Sequence, residues 1–156
     1  MNTTAAPWSR QMAASAPPQL RTARFGDYEQ IARLEQSHGL GTAPMADWQG
    51  YWTNNPLWPE VKDHWPIGWV LEDQDGKIVG SLCNIPSLCY LHGRELIYAN
   101  GRGWVVDEEY RGVALWLFGE YFAQERCDLF INTTVNALSA RSFSSLSARE
   151  IGRAHV

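Results

Sequence analysis

The residues whose types and spacing most clearly indicate a functional site form one run, Gly103–Phe118. The run has the pattern of an apolar strand, a short polar turn, and a helix that opens on Arg111-Gly112. The first turn of a helix carries backbone N–H groups without an intrahelical acceptor, and the helix dipole adds partial positive charge there. Such a junction binds phosphate groups well, so the run predicts a site for a phosphate-bearing ligand.

Three acidic residues, at positions 107–109, precede the predicted helix start. They would cap the helix and repel a phosphate, because both compete for the same positive end of the dipole. An ordinary strand–helix connection with acidic capping is therefore the alternative interpretation. Gly101 and Gly103 lie on one face of the predicted strand, and two explanations of these glycines remain open. Glycine within a strand marks close approach either of a ligand or of a tightly packed helix.

Other residue types give no catalytic pattern. Attack by an amine would need a carboxylate as base, but Glu72 and Glu95 on the predicted strands are more typical of solvated strand ends. The remaining candidates show neither a nucleophile–base pairing nor metal-ligand spacing: Cys83, Cys89, His38, His64 and His92. The catalytic residues therefore stay unassigned, and no metal site is predicted.

Composition narrows the class of protein. The 156 residues carry a formal net charge of -4 without a basic run, which argues against a nucleic-acid partner. No apolar run is long enough to cross a membrane. An odd set of three cysteines favours a reducing compartment, so we expect a cytoplasmic protein. Residues 1–18 lack the apolar core of a signal peptide and are predicted to be a disordered tail, followed by one domain over 19–149.

Hydrophobic periodicity and turn residues predict the element order. Asp27 is expected to cap the first helix, in a capping box with Gln30. Strands are predicted over 19–24, 67–72, 77–91, 95–106 and 129–133, and helices over 27–38, 45–52, 112–125 and from Asn136 onward. Residues 54–66 are predicted to be a loop, and Asp75-Gly76 and His92-Gly93 to be turns. The fold class that follows is α+β, an α/β sandwich with a mixed, mostly antiparallel sheet and helices on both faces.

The last seven residues, 150–156, need separate treatment. Back-translated in one reading frame, they match the start of a common sequencing adapter whose next codon is a stop. We expect that the reading frame leaves the natural gene near Arg149 and that 150–156 are adapter-derived; a natural polar terminus is the alternative. The chain would then be the N-terminal part of a longer protein.

The element order and the Arg111-Gly112 turn resemble the GNAT (general N-acetyltransferase) superfamily. The signature of that family is Val-x-Pro at the end of its fourth strand, then Tyr-Arg-Gly-x-Gly-x-Gly at the start of a helix. The matching residues here are 106–108 and 110–116. The resemblance implies an acyl-CoA N-acyltransferase fold over residues 19–146, with acetyl-CoA or another acyl-CoA as co-substrate and a small-molecule acyl acceptor.

The resemblance also implies the binding residues. Backbone N–H groups of the turn would hold the pyrophosphate, and the end of the preceding strand would pair with the pantetheine arm. The residues so implicated are Trp104, Val106, Arg111, Gly112, Val113, Ala114, Leu115 and Asn136. The carbonyl of the thioester would be polarised by a backbone N–H near Val106.

The sequence departs from the family pattern at four positions. Glu108 replaces proline, Ala114 and Trp116 replace glycines, and Phe143 stands where a tyrosine often serves as general acid. The expected activity is acyl transfer from acyl-CoA to an amine or similar nucleophile. A CoA-binding module without transferase activity and a CoA-independent aminoacyl-transferring relative are the alternatives. Two strands of the family fold would be missing after 129–133, so we expect association through that exposed sheet edge.

Overall fold

The computed structural model describes residues 16–133 and 144–145. The elements in chain order are β1 Gln19–Thr22, a 3-10 turn Phe25–Asp27, α1 Tyr28–Ser37, α2 Met45–Thr53, α3 Trp58–Val61, β2 Gly68–Glu72, β3 Ile78–Leu91, β4 Arg94–Val106, a 3-10 turn Glu108–Val113, α4 Leu115–Phe122 and β5 Leu129–Asn132. The five strands form one sheet in the order β1-β2-β3-β4-β5. All pairs are antiparallel except β4–β5, which is parallel, as the mixed sheet predicted from the sequence requires.

Apolar side chains of the central strands alternate between two cores. Trp69 and Leu71 of β2 pack with α4, whereas Val70 between them packs with α1 and α2. This period of two is what a strand buried on both faces requires. The helices therefore cover both faces of the sheet, as predicted.

The two predicted hairpin turns are confirmed by their backbone angles. Gly76 has a φ of 77°, and His92 and Gly93 have φ values of 50° and 77°. A tight hairpin needs this left-handed region, because it matches the twist of the flanking strands. The second hairpin joins β3 to β4, which stay paired from Gly80–Val106 to Leu91–Arg94.

A bulge interrupts β4 near its C-terminal end. Ser81 pairs with Val105 and Cys83 with Arg102, so two residues of β4 stand opposite one residue of β3. Gly103 in this bulge has a φ of 68°, a conformation that residues with a Cβ rarely adopt. The bulge shifts the alternation of side chains along the strand, so Gly101 and Gly103 face opposite sides of the sheet and not the same side as predicted.

Both glycines lie against neighbouring helices. A Cβ on Gly101 would lie 3.3 Å from the ring of Tyr121 on α4, and one on Gly103 would lie within 3.3 Å of the carboxylate carbon of Glu35 on α1. Close packing of a helix is therefore the reason for glycine at position 101. At position 103, both the backbone angle and a buried side chain require it.

Three local predictions were wrong in detail. Asp27 and Gln30 form no capping box with each other, because the Gln30 side chain bonds the backbone of the β2–β3 hairpin at Gly76 and Ile78. The predicted loop 54–66 contains the short helix α3. The helix expected from Gly112 to Glu125 is shorter, because a 3-10 turn occupies 108–113 and α4 covers only Leu115–Phe122.

Several expectations concern residues outside the described ranges. They are most of the tail 1–18, the start of the last helix at Asn136, Phe143, and the segment 150–156. Within residues 16–133 and 144–145, no helix has the length and hydropathy to cross a lipid bilayer.

Candidate functional site

The described ladder between β4 and β5 covers four residue pairs. Their register runs from Tyr98–Leu129 to Gly101–Asn132, and β4 then continues to Val106. We call the side of β4 residues 102–106 that faces away from β3 the β4–β5 wedge. The bulge at Gly103 lies in this same part of β4.

The amide of Val106 points into the wedge. The N–H of the next residue, Asp107, donates to the carbonyl of Val79 on β3 at 2.8 Å. Successive N–H groups along a strand point to opposite sides, so the N–H of Val106 points away from β3. It can therefore donate to a carbonyl oxygen that lies in the wedge.

A tyrosine hydroxyl lies where the described β4–β5 ladder meets the wedge. Tyr121 of α4 is 1 % exposed, and its hydroxyl accepts the N–H of Gly101 at 3.1 Å. The same oxygen lies 2.7 Å from the carbonyl oxygen of Ala99 and 2.9 Å from that of Ile131. One side chain thus contacts the backbones of both β4 and β5 at the end of their described ladder.

The strand–turn–helix junction follows the wedge at the C-terminal end of β4, and the predicted site residues fall into two groups there. Trp104 packs on Phe118 of α4 with ring centroids 4.5 Å apart, while Val106 and Ala114 are buried in the core. Val113 packs against this core as well. The side chains of this first group support the junction: Val106 and Ala114 are buried, and Trp104 and Val113 are partly buried. Their backbone is therefore the part best placed to contact a ligand.

The second group faces outward. Arg111 has a side chain that is 64 % exposed, and Leu115 and Trp116 are also exposed. A Cβ on Gly112 would meet no atom within 4 Å, and the backbone there is ordinary, so neither packing nor conformation requires glycine. The open space above Gly112 is what close approach of a ligand would need. The methyl group of Ala114 points into the core, so it does not crowd this space.

Two of the acidic residues near the turn, Asp107 and Glu108, have basic partners. The two carboxylate oxygens of Asp107 lie 3.1 Å from His38 Nε2 and 3.1 Å from Lys77 Nζ. Glu108 lies 3.8 Å from Arg111 on the exposed side of the turn. Asp107 raises the pKa of Lys77 through its hydrogen bond and its charge. These pairs reduce the repulsion that the run of acids would otherwise exert on a phosphate.

The structure adds one ionisable residue that the sequence analysis missed. Glu35 of α1 is 2 % exposed and lies beneath the β4 bulge, 3.4 Å from Nη1 of Arg102. Burial raises the pKa of Glu35, and the charge of Arg102 opposes that effect. The Arg102 guanidinium also lies over the ring of Tyr51, 5.2 Å from its centroid. A signal existed, because Glu35 stands four residues after Ile31 on the apolar face of the helix.

Other candidates from the sequence have structural roles. Glu72 accepts a hydrogen bond from Arg21 at 2.7 Å, and Glu95 accepts one from Tyr90 at 2.7 Å. Cys83 is buried, and burial raises the pKa of its thiol to about 12, which makes it a poor nucleophile. Among the described residues, no cluster of three potential metal ligands is present.

A large concave surface lies elsewhere. An open groove of about 690 Å³ runs along α3 and the C-terminal end of α4, with Trp58, Trp65 and Gln124 among its walls. The wedge is not part of it, because neither Val106 nor Gly112 lines the groove. A ligand that adds to a strand edge needs backbone groups in line rather than an enclosed cavity.

Comparison with known proteins gives matches in structure alone. No protein-family model matches the chain, and no curated protein sequence matches it. Among solved structures, an acetyltransferase of Trypanosoma brucei matches with a TM-score of 0.61 and 20 % identity, over 88 % of this chain and 96 % of that one.

Two further matches agree with it. Glucosamine-6-phosphate N-acetyltransferase of Arabidopsis thaliana has a TM-score of 0.60 and 14 % identity, over 88 % of this chain and 95 % of that one. Ribosomal-protein-alanine N-acetyltransferase of Brucella melitensis has a TM-score of 0.59 and 15 % identity, over 88 % and 97 %. At such identities the likeness concerns the fold and not the substrate. The chain has the fold of these acetyltransferases, the acyl-CoA N-acyltransferase fold.

Proposed function

We propose that the chain transfers an acyl group from acyl-CoA to an amine or a similar nucleophile. The observation that carries this proposal is the strand–turn–helix junction, where the N–H of Val106 faces away from β3 and the open space above Gly112 follows within the next turn. An extended arm can lie along β4 in the wedge while its phosphates reach the junction. Pantetheine joined to a pyrophosphate has this shape, so an acyl-CoA fits both parts of the site.

The chain's own groups have distinct tasks in this proposal. The N–H of Val106 would donate to the thioester carbonyl and stabilise the negative charge that develops on its oxygen. The turn over 111–115 and the open space above Gly112 would receive the phosphates. Arg111, exposed on that turn, supplies a cation close to them.

The reaction then requires little covalent participation by the protein. The amine nitrogen forms a bond to the carbonyl carbon, the carbon–sulfur bond breaks, and a proton from the amine ends on the thiolate sulfur. Holding the two reactants in line is itself a large contribution to the rate. The three structural matches named above are acetyltransferases, which supports this class of reaction. The cytoplasm is the proposed location, on the grounds of cysteine content alone.

A second candidate function is acyl-CoA binding without transfer. It is favoured because the carboxylates near the wedge already have basic partners. Glu35 is buried against Arg102, and Asp107 contacts His38 and Lys77. A general base must be within reach of the amine, directly or through one water. Release of free thiol from acetyl-CoA across a panel of amines distinguishes the two functions.

Calorimetric titration with acetyl-CoA tests the site itself. The variant Gly112→Val places a side chain in the space assigned to the phosphates, and Gly26→Val is its matched control. Both glycines lie in 3-10 turns, and a Cβ on either meets no atom within 4 Å.

We expect Gly112→Val to weaken binding of acetyl-CoA about tenfold or more, equivalent to at least ~1.4 kcal/mol, and Gly26→Val to leave it unchanged. No binding by the unmodified chain would remove both candidate functions and favour a relative that does not use CoA. Binding without thiol release from any amine would favour the second function.

A further inference from the structure

Arg102 is a mostly buried cation that uses little of its hydrogen-bonding capacity. Its side chain is 20 % exposed, and its Nη1 atom lies 3.4 Å from Oε1 of Glu35. Hydrogen bonds between a guanidinium and a carboxylate are usually about 2.7–2.9 Å long, and often two form in parallel. A guanidinium has five N–H donors, and within residues 16–133 and 144–145 those of Arg102 have no acceptor besides Glu35. The contact with Glu35 therefore leaves most of the donors available.

The guanidinium lies on the face of the sheet that α1 and α2 cover. Gly101 lies against α4, so the side chains of its neighbours Asn100 and Arg102 point to the opposite face. The contacts of Arg102 agree with this, because Glu35 belongs to α1 and Tyr51 to α2. The Tyr51 ring, 5.2 Å from the guanidinium carbon, holds the cation in place without using its N–H donors.

Asn100 supplies a second polar group on the same face of β4. Its side chain is partly exposed, and its Oδ1 atom accepts a hydrogen bond from the Thr133 hydroxyl at 3.2 Å. Its Nδ2 atom carries two N–H donors, and neither donates to another residue in the described part of the chain. Residues two apart on a strand are separated by about 6–7 Å, so one anion can contact both Asn100 and Arg102.

We propose that Arg102 binds an anionic group of the acyl acceptor, a carboxylate or a phosphate, with Asn100 as a second donor. This inference rests on the proposed function and names the class of nucleophile, which is an amine that also carries an anion. Carboxylate and phosphate both present two oxygens at the spacing of the guanidinium N–H groups. The half-used donors of Arg102 and the amide of Asn100 match such a group.

The position of Arg102 on β4 sets the length of the acceptor. The proposed function assigns the thioester carbonyl to the N–H of Val106, four residues further along the strand. Four residues of strand span about 13 Å, and the bulge at Gly103 shortens this distance. The amine and the anion of the acceptor should therefore be about 10 Å apart, which is the length of roughly three extended residues.

The test compares three peptides that differ in one charged group. Triglycine ends in a carboxylate, triglycine amide has no anion, and glycylglycyl-phosphoserine amide carries a phosphate on its third residue. Thiol release from acetyl-CoA gives kcat/KM for each peptide. Arg102→Lys keeps a cation beside Glu35 but loses the planar set of donors. Arg94→Lys is the matched control, because Arg94 is exposed at the other end of β4.

We expect the unmodified chain to prefer one of the two anionic peptides to triglycine amide by about tenfold or more in kcat/KM. The preferred peptide then identifies the anion as carboxylate or phosphate. Arg102→Lys should reduce the preference to about twofold or less, and Arg94→Lys should retain it. Equal use of the three peptides by the unmodified chain would overturn the proposal, and so would a full preference in a folded Arg102→Lys.

A binding measurement separates this inference from the proposed function. The Nε–H signal of Arg102 is followed by NMR in isotope-labelled protein with free CoA, which carries no acyl group to transfer; the signal is identified by its absence in Arg102→Lys. We expect an anionic peptide to shift this signal and triglycine amide to leave it in place. A shift without thiol release from acetyl-CoA would contradict acyl transfer and support the anion site. Thiol release without a shift would contradict the anion site and leave acyl transfer standing.

A second variant covers the case in which Arg102→Lys does not fold. Glu35→Gln keeps the shape of the side chain and removes a charge that competes with a ligand anion for Arg102. The anionic peptide should then bind more tightly, and triglycine amide should not. Weaker binding of the anionic peptide by Glu35→Gln would contradict the proposal, and so would an equal change for both peptides.

Discussion

Gly103 should be the glycine of β4 that is least tolerant of substitution. Gly103→Ala forces a Cβ into a residue with a φ of 68°, which costs about 1–2 kcal/mol for the backbone alone. The new methyl carbon would also overlap Oε1 of Glu35, so this buried carboxylate must move from Arg102. Loss of a hydrogen bond to a charged group adds about 1.5–3 kcal/mol. We therefore expect about 2.5–5 kcal/mol of destabilisation, a large share of the ~5–15 kcal/mol typical of a domain.

Urea unfolding followed by tryptophan fluorescence measures this effect. Gly76→Ala is the control for the backbone cost, because Gly76 has a φ of 77° and a Cβ there would meet no atom within 4 Å. It should cost only about 1–2 kcal/mol. The slope of unfolding free energy against urea must stay the same for the comparison to hold.

A second background isolates the contribution of the carboxylate. When Glu35 is first replaced by alanine, Gly103→Ala should cost no more than Gly76→Ala, since the overlap has gone. The reasoning is refuted if Gly103→Ala is no more costly than Gly76→Ala in the unmodified chain. It is refuted equally if the cost is the same with and without Glu35.

Three further predictions concern charge and association. Burial raises the pKa of Glu35, so the folded state binds its proton more tightly than the unfolded state, and this contribution to stability is lost as pH rises above the ordinary glutamate range. Glu35→Gln should therefore flatten the fall in unfolding free energy between about pH 4 and 7, and an unchanged profile would contradict this. Burial alone would raise the pKa of Asp27, but hydrogen bonds from Arg21 and the Arg24 amide lower it below its ordinary value. The ionised carboxylate of Asp27 therefore stabilises the folded state at neutral pH, and this stabilisation is lost in acid. Asp27→Asn should make acid unfolding less steep, and an identical midpoint and slope would count against that ion pair. β5 is an edge strand of the described sheet and carries Leu129, which is 39 % exposed. We expect light scattering to show that the chain self-associates and that Leu129→Lys reduces the association. A monomeric unmodified chain would rule out association through this edge.

Local chemistry made much of the fold predictable. The turns at Asp75-Gly76 and His92-Gly93 depend on residues that tolerate positive φ, and both flank strands whose apolar pattern is visible without a structure. The short parallel strand β5 was recognisable because it is apolar and follows a helix. In each case, the information lies within a few residues of the element.

The geometry of the site depends on contacts between distant segments, so it was only partly predictable. The extra residue of β4 exists only relative to β3, and the contact of the Tyr121 hydroxyl with Ile131 depends on how α4 packs beside β5. The predicted helix start at Gly112 was displaced because residues 108–113 form a 3-10 turn first. Glu35 was detectable as a charged residue on an apolar helix face, although its partner Arg102 is 67 positions away.

The long β3–β4 hairpin has a consequence for the order of folding. Its strands are adjacent in the sequence and join through a two-residue turn, so they can pair at a small loss of chain entropy. β1 must instead find β2 across α1, α2 and α3, which makes that pairing slower. We infer that the hairpin, which contains the β4 residues of the wedge, forms first. β1 then pairs with β2 late in folding and separates from it first in unfolding. The amides of the hairpin core should then be among the slowest to exchange with solvent.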